Sequence, residues 1–132
     1  MAGMLQFDLV SPERRLASVQ ATEVQIPGAA GDLTAMEGHA PTITTLRPGI
    51  QRAVSADGAR AFAVTGGFAE ITASSVSVLA ERAIAVEDLS GVVLDDLLAE
   101  ARELASTALP EDRDAAEKTV NDFLALRHSA GH

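Results

Sequence analysis

Cysteine, tryptophan and tyrosine are absent from this 132-residue chain, and lysine occurs once, as Lys118. Without cysteine there is no disulfide framework, thiol nucleophile, iron–sulfur cluster or zinc–thiolate site, and nothing points to an oxidising compartment. Four phenylalanines are the whole aromatic content, and ten basic residues stand against nineteen acidic ones, a net charge of −9. Phosphate backbones are gripped by Lys and Arg, and single-stranded bases by aromatic platforms, so the composition excludes nucleic acid as an expected partner. Long apolar runs are missing too. The longest stretch free of charge, Ile71 to Ala80, is ten residues, far short of the ~20 that a membrane-spanning helix needs. Near the N-terminus Asp8, Glu13, Arg14 and Arg15 interrupt a short alternating pattern, which is not the basic-then-apolar order of a secretory signal. These absences make the cytosolic side the expected location.

Hydrophobic residues at 47% and charged residues at 22% are the proportions of an ordinary globular protein. The charge is unevenly placed: residues 1–84 hold six basic and eight acidic residues, residues 85–132 four and eleven. Upstream of Ala85, short runs rich in Val, Ile, Leu, Phe and Thr recur between Gly, Pro, Asp and Ser, the pattern of an antiparallel sandwich or barrel. Leu5, Phe7 and Leu9 alternate with Gln6 and Asp8, Val24 and Ile26 with Glu23 and Gln25, and Val76 and Val78 with Ser75 and Ser77. Each such segment has one buried and one wet face. Asp57-Gly58 predicts a tight hairpin turn, and Gly66-Gly67 separates two further strands, for about ten in all.

Downstream, Leu94, Leu97, Leu98, Ala101, Leu104, Ala105 and Ala108 fall at helical spacing, with Glu87, Asp88, Asp95 and Asp96 expected near the start, where the helix dipole favours acid. Pro110 suits the first turn of a second helix, and Ala116, Val120, Phe123 and Leu124 supply its stripe. The predicted fold is therefore α+β: an N-terminal antiparallel β-sandwich over residues 1–86, then a C-terminal α-helical hairpin over 87–132. A 45-residue hairpin has too little core to stand alone, so its stripe, including Leu97, Leu104, Val120 and Phe123, is expected to need a second surface.

Catalytic and ligand-binding patterns are nearly all missing: there is no G-x-S-x-G, H-E-x-x-H, calcium loop, G-x-G-x-x-G or G-x-x-x-x-G-K. The pairs Asp95-Asp96 and Glu111-Asp112 could serve as acid and base in a small hydrolase, but neighbours on a helix point apart and the dipole alone explains them. His128 and His132 have metal-pair spacing, yet Gly131 intervenes and a frayed end is the simpler reading. His39 sits in Gly38-His39-Ala40-Pro41, a turn before a strand, with no other histidine near it in sequence. Composition and patterning thus stop at a protein built for contact rather than catalysis.

The motifs go further. Gly31-Asp32-Leu33, then Gly38-His39-Ala40-Pro41, then Leu46-Arg47-Pro48-Gly49 resembles the G-[DE]-L, G-H-A-P, L-[KR]-P-G signature of the epsilon subunit of F-type ATP synthases. Phe7-Asp8-Leu9-Val10-Ser11-Pro12-Glu13, Gly66-Gly67-Phe68-Ala69-Glu70-Ile71 and Val76-Ser77-Val78-Leu79-Ala80-Glu81-Arg82-Ala83 match in the same order, so the resemblance spans most of residues 5–87. It implies a ten-stranded sandwich followed by a helical hairpin, and a non-catalytic rotor subunit of the central stalk with no cofactor of its own. The implied partners are the gamma subunit, the ring of c subunits and, through the hairpin, the catalytic head of alpha and beta subunits. The implied place is the cytoplasmic face of the bacterial inner membrane, reached only through the complex. Carried over position by position, the ring contact falls on Asp32, Glu37 and His39, in a stretch 31–39 expected as a loop, and the gamma contact on Ser11, Thr42, Thr44 and Leu46. Two departures stand out in the signature: Thr34 where glycine is frequent and Glu37 where proline is. Some members carry [IL]-D-x-x-R-A for ATP at the start of the hairpin. Here Leu94-Asp95-Asp96-Leu97-Leu98-Ala99 puts leucine in place of that arginine. The alternative to this family is a stand-alone β-sandwich interaction module.

Overall fold

The computed structural model describes residues 3–129. The chain divides into two compact units between Ala85 and Val86.

The first unit holds ten strands: β1 (Leu5–Val10), β2 (Arg15–Ala21), β3 (Glu23–Gly28), β4 (Gly31–Met36), β5 (Thr42–Thr45), β6 (Gly49–Ser55), β7 (Gly58–Val64), β8 (Gly67–Ile71), β9 (Ser75–Ala80) and β10 (Ala83–Ala85). They form two five-stranded sheets, ordered β2-β1-β9-β8-β5 and β10-β7-β6-β3-β4. The inner faces close on one core in which Leu5, Phe7 and Leu9 of the first sheet meet Val24, Ile26, Phe62 and Val64 of the second. Alternation at period two does this: β1 buries every second residue from Leu5 and leaves Gln6, Asp8 and Val10 outside.

The sandwich departs from the purely antiparallel expectation at one pairing, since β1 and β9 run parallel with Phe7 beside Val76 and Leu9 beside Val78. A tight turn forces its two flanking strands to be antiparallel, but nothing local fixes two strands that are 65 residues apart in sequence. The direction of β9 is inherited instead from β8, to which the turn Thr72–Ser75 joins it. The hairpin at Asp57-Gly58 is present, but Ser55 pairs with Gly58, so Ala56 and Asp57 occupy the turn and Gly58 supplies the positive φ of 126° just after it. At Gly67 (φ 105°) an added Cβ would run into the Leu79 carbonyl and the Ala80 Cα, so only glycine lets β8 start against β9.

One core position breaks the chemistry of its neighbours. Gln51, on β6 beside Phe62 of β7, is fully buried, and neither its amide nitrogen nor its oxygen has a hydrogen-bond partner.

The second unit begins with a 3₁₀ turn at Val86–Asp88, followed by α1 (Gly91–Thr107), a 3₁₀ turn at Pro110–Asp112 and α2 (Arg113–Ser129). The expected acids lie near the start of α1 but outside its first turn, Glu87 and Asp88 in the preceding 3₁₀ turn and Asp95 and Asp96 in the second turn of α1. Ser90 caps the helix, its Oγ accepting from the Val93 N–H at 3.2 Å. Such a cap contributes about 1 kcal/mol. Leu94, Leu97, Leu98 and Ala101 of α1 and Phe123 and Leu126 of α2 are buried. Leu104 is not part of this stripe, being 63% exposed. At 3.3 Å from Asp95 Oδ1, Arg127 Nη1 joins the end of α2 to the N-terminal part of α1, as expected for two helices returned on each other by a short connection.

Candidate interaction surfaces

The outer face of the first sheet is split in character. Over β1 and β2 it is polar: Gln20 Nε2 donates to Gln6 Oε1 at 2.5 Å, and Gln6 Nε2 donates to Ser18 Oγ at 3.1 Å. Over β5, β8 and β9 it is mixed, with Ile43, Phe68 and Leu79 exposed alongside Thr45, Glu70 and Ser77. Phe68 stands directly opposite Leu79 in the β8–β9 register, Leu79 lies beside Val10 of β1, and Phe68 lies beside Thr45 of β5. Thr45, Phe68, Leu79 and Val10 thus form one row across four adjacent strands, with Ile43 one outward position further along β5. Phe68 is 42% exposed, Leu79 45% and Ile43 71%. Single exposed apolar residues are ordinary on a protein surface, whereas a contiguous set rimmed by polar side chains marks a contact surface.

The gamma-contact residues expected from the sequence lie around this row but do not all face out. Ser11 follows Val10 at its β1 end and opens a turn in which the Ser11 N–H donates to the Arg14 carbonyl at 2.9 Å. Thr42 and Thr44 are half-buried, while Ile43 and Thr45, at the intervening positions, carry the exposed side chains of β5. Leu46 is corrected from a contact to a core residue: it is 7% exposed and packs in the sandwich interior. The cause is parity, because Thr42, Thr44 and Leu46 share one side of an extended segment and its inward side is the one that Leu46 anchors. Phe68, Leu79 and Ile43 lie outside the set of contacts that the sequence resemblance implies. Their signal was in the sequence, since Phe68 shares its face with Glu70 and Leu79 shares its face with Ser77.

The three residues expected at the ring contact are not brought together. The stretch 31–39, expected as a loop, is mostly strand β4. Asp32 is at its start, and Met36 at its end is four steps away, about 13 Å at ~3.3 Å per residue, with Glu37 and His39 beyond it. His39 is half-buried, its Nδ1 2.7 Å from the Ala40 carbonyl oxygen, and the Gly38 N–H donates to the Ala73 carbonyl at 2.8 Å, fixing this turn beside the β8–β9 connection. The Glu37 carboxylate lies over Gly3. Asp32 lies at the opposite end of the sandwich, exposed and ion-paired with Arg47. That end also carries the β5 terminus of the apolar row, because the Ala29 N–H donates to the Thr45 carbonyl at 2.9 Å.

Chemistry-bearing residues do not assemble elsewhere. Among the described residues there is no group of three His, Asp or Glu able to hold a metal ion. His128 is exposed on α2, and His132 lies outside the described residues. Of the acid pair Asp95-Asp96, Asp95 is engaged by Arg127, while Glu111 and Asp112 occupy the 3₁₀ turn that leads into α2. Leu98, where an ATP-binding relative would place arginine, is 3% exposed. No described helix is long and apolar enough to cross a membrane.

The comparisons agree with this geometry. Residues 4–86 match the family described as ATP synthase, Delta/Epsilon chain, beta-sandwich domain. The ATP synthase epsilon chain of Cereibacter sphaeroides is 74% identical over 132 residues, covering all of both chains. In fold, the chain is similar to one in the Euglena gracilis mitochondrial ATP synthase, OSCP/F1/c-ring, with a TM-score of 0.75 at 21% identity, covering 98% of this chain and 82% of that one. It is likewise similar to one in the central stalk/c-ring of the Tetrahymena thermophila mitochondrial ATP synthase, with a TM-score of 0.66 at 13% identity, covering 97% and 96%. A ten-stranded sandwich followed by a helical hairpin, together with the family match over residues 4–86 and full-length identity at this level, places the chain in the ATP synthase delta/epsilon chain family.

Proposed function

We propose that this subunit of ATP synthase is a non-catalytic rotor component that joins the gamma subunit to the ring of c subunits and so couples proton flow to ATP synthesis. The observation that carries the reading is the apolar row Val10, Leu79 and Phe68 with Ile43 beside it, an exposed hydrophobic surface on a rigid sheet. A coupling subunit must transmit torque without deforming, and a two-sheet sandwich with one packed core resists deformation. The row is the gamma face, with Ser11 at its margin. Asp32 is the ring contact, at the same end of the sandwich. Glu37 and His39, at the far end of β4, belong to a separate contact. The chain has its place at the cytoplasmic face of the bacterial inner membrane, held there through its partners. A relative that carries the name ATP synthase epsilon chain over its whole length, and structural neighbours from a central stalk and c-ring assembly, support this reading. The alternative, a stand-alone interaction module, has no such support. The test is Asp32→Cys in the assembled enzyme: a crosslinker should capture a c subunit, and capture of gamma alone, or of nothing, would contradict the placement.

A further inference from the structure

The segment Thr45–Arg47 carries the chain from the first sheet to the second and is bonded on both sides as it crosses. The Leu46 N–H donates to the Gly67 carbonyl at 2.9 Å, and the Arg47 N–H donates to the Pro27 carbonyl at 3.0 Å. The Arg47 side chain then spans the β3–β4 turn. Its Nη1 donates to the Gly28 carbonyl at 2.6 Å, where the turn begins, and its Nη2 pairs with the Asp32 carboxylate, just past where the turn ends. A guanidinium presents its donors in a fixed planar fork, so engaging both groups sets the position of one relative to the other. The burial is graded to match: the Arg47 side chain is 27% exposed and the Asp32 side chain 78%. The cation is thus held in the wall of the sandwich and the carboxylate is presented to solvent.

We infer that Arg47 is a positioning residue for the ring contact, acting through the β3–β4 turn and the Asp32 carboxylate rather than by touching the ring itself. The inference rests on the reading of Asp32 as that contact. An ion pair with one member largely exposed contributes about 0–1 kcal/mol to folding. Stability alone therefore does not account for a fork aimed at both ends of one turn; its larger effect is to hold Asp32 in a single direction. An interface that bears torque gains from such pre-organisation, because a side chain fixed beforehand loses less freedom on contact.

The test uses the assembled synthase and a single cysteine at Ala30, the tip of the same turn, in a chain that otherwise has none. Crosslinked yield to a c subunit is measured for the Ala30→Cys chain alone and with D32N, R47Q, R47K and the D32N/R47Q pair, with a thermal melt of each isolated chain. We expect D32N and R47Q each to lower the yield several-fold and the pair to fall no further than D32N. R47K should restore only part of the loss, since an ammonium reaches one partner and not both. Melting temperatures should stay within a few degrees of each other. If D32N leaves the yield unchanged, the ring-contact reading fails and this inference with it. If D32N lowers the yield but R47Q does not, or if the two losses multiply, Arg47 does not act through Asp32 and the inference alone is overturned. A large drop in melting temperature for both R47Q and R47K would overturn it as well, by making Arg47 a determinant of the fold.

Discussion

Phe68 and Leu79 face each other across the β8–β9 pair on the solvent side of the first sheet, each exposed by more than two-fifths. The inward residues of β1, β8 and β9 around them are buried, so their exposure does not come from a loose or frayed segment. The sheet spends apolar surface outward on one side only, beside Ser11 and away from the Gln6–Gln20 polar ladder. That asymmetry separates a subunit built to be docked from an isolated module.

Gln51 provides a test of the core. An unpartnered amide in an apolar interior costs roughly 1–3 kcal/mol. Gln51→Met, close in shape and without polar atoms, should therefore raise stability by about 1 kcal/mol or more, read as a higher urea midpoint at unchanged slope. A lower midpoint would show that the amide makes hydrogen bonds that matter.

Truncation after Val86 tests the boundary. All ten strands and the core cluster lie before it, so residues 1–86 should give a sheet-type circular dichroism spectrum and a cooperative thermal transition. A truncated chain with neither would sink the boundary.

The free subunit should not bind ATP. Leu98 is buried where an arginine would be needed, Asp95 is occupied by Arg127, and four basic against eleven acidic residues downstream of Ala85 repel a polyanion. Titration calorimetry should show no heat of binding; micromolar affinity would refute the argument.

The hairpin should be a weak inhibitor of ATP hydrolysis. Residues 111–132 carry Arg113, Lys118 and Arg127 against Glu111, Asp112, Asp114, Glu117 and Asp122, and Lys118 and Arg127 are already paired with Asp122 and Asp95. The family resemblance implies that an extended hairpin would meet an acidic part of the head, so like charges would face each other. Deleting residues 88–132 from the assembled enzyme should change hydrolysis little while gamma binding persists. A large rise with gamma still bound would show that the acidic helix restrains the head after all.

Much of this molecule was legible in its sequence, and the misses have physical causes. Alternation placed Leu5, Phe7, Leu9, Val24, Ile26, Val76 and Val78 inside because a sheet with one wet face writes its parity into every second residue. The parallel β1–β9 pair was not legible, since no local turn links those strands. Nor was the inward side of Leu46, because the short apolar–polar run around β5 has no charged residue to mark which side is wet. Arg52 does mark it on β6, and by the same parity sends Gln51 inward, against its chemistry. The motif supplied Asp32, Glu37 and His39 as one group; the structure separates them because Asp32-Leu33-Thr34-Ala35-Met36 pairs with β3 along its length. The fork of Arg47 was beyond reach, since it depends on a turn that is fifteen or more residues away in sequence.

The central claim, that the apolar row is the gamma face, is tested most directly by calorimetry of the isolated chain with its gamma subunit. Phe68→Glu and Leu79→Glu are compared with Gln20→Glu on the polar half of the same sheet face, and circular dichroism confirms the fold of each. Buried anchors of an interface cost about 2 kcal/mol or more when lost, so each substitution in the row should weaken binding roughly 30-fold or more, while Gln20→Glu leaves it unchanged. Wild-type affinity for both Phe68→Glu and Leu79→Glu, with the fold intact, would contradict the account.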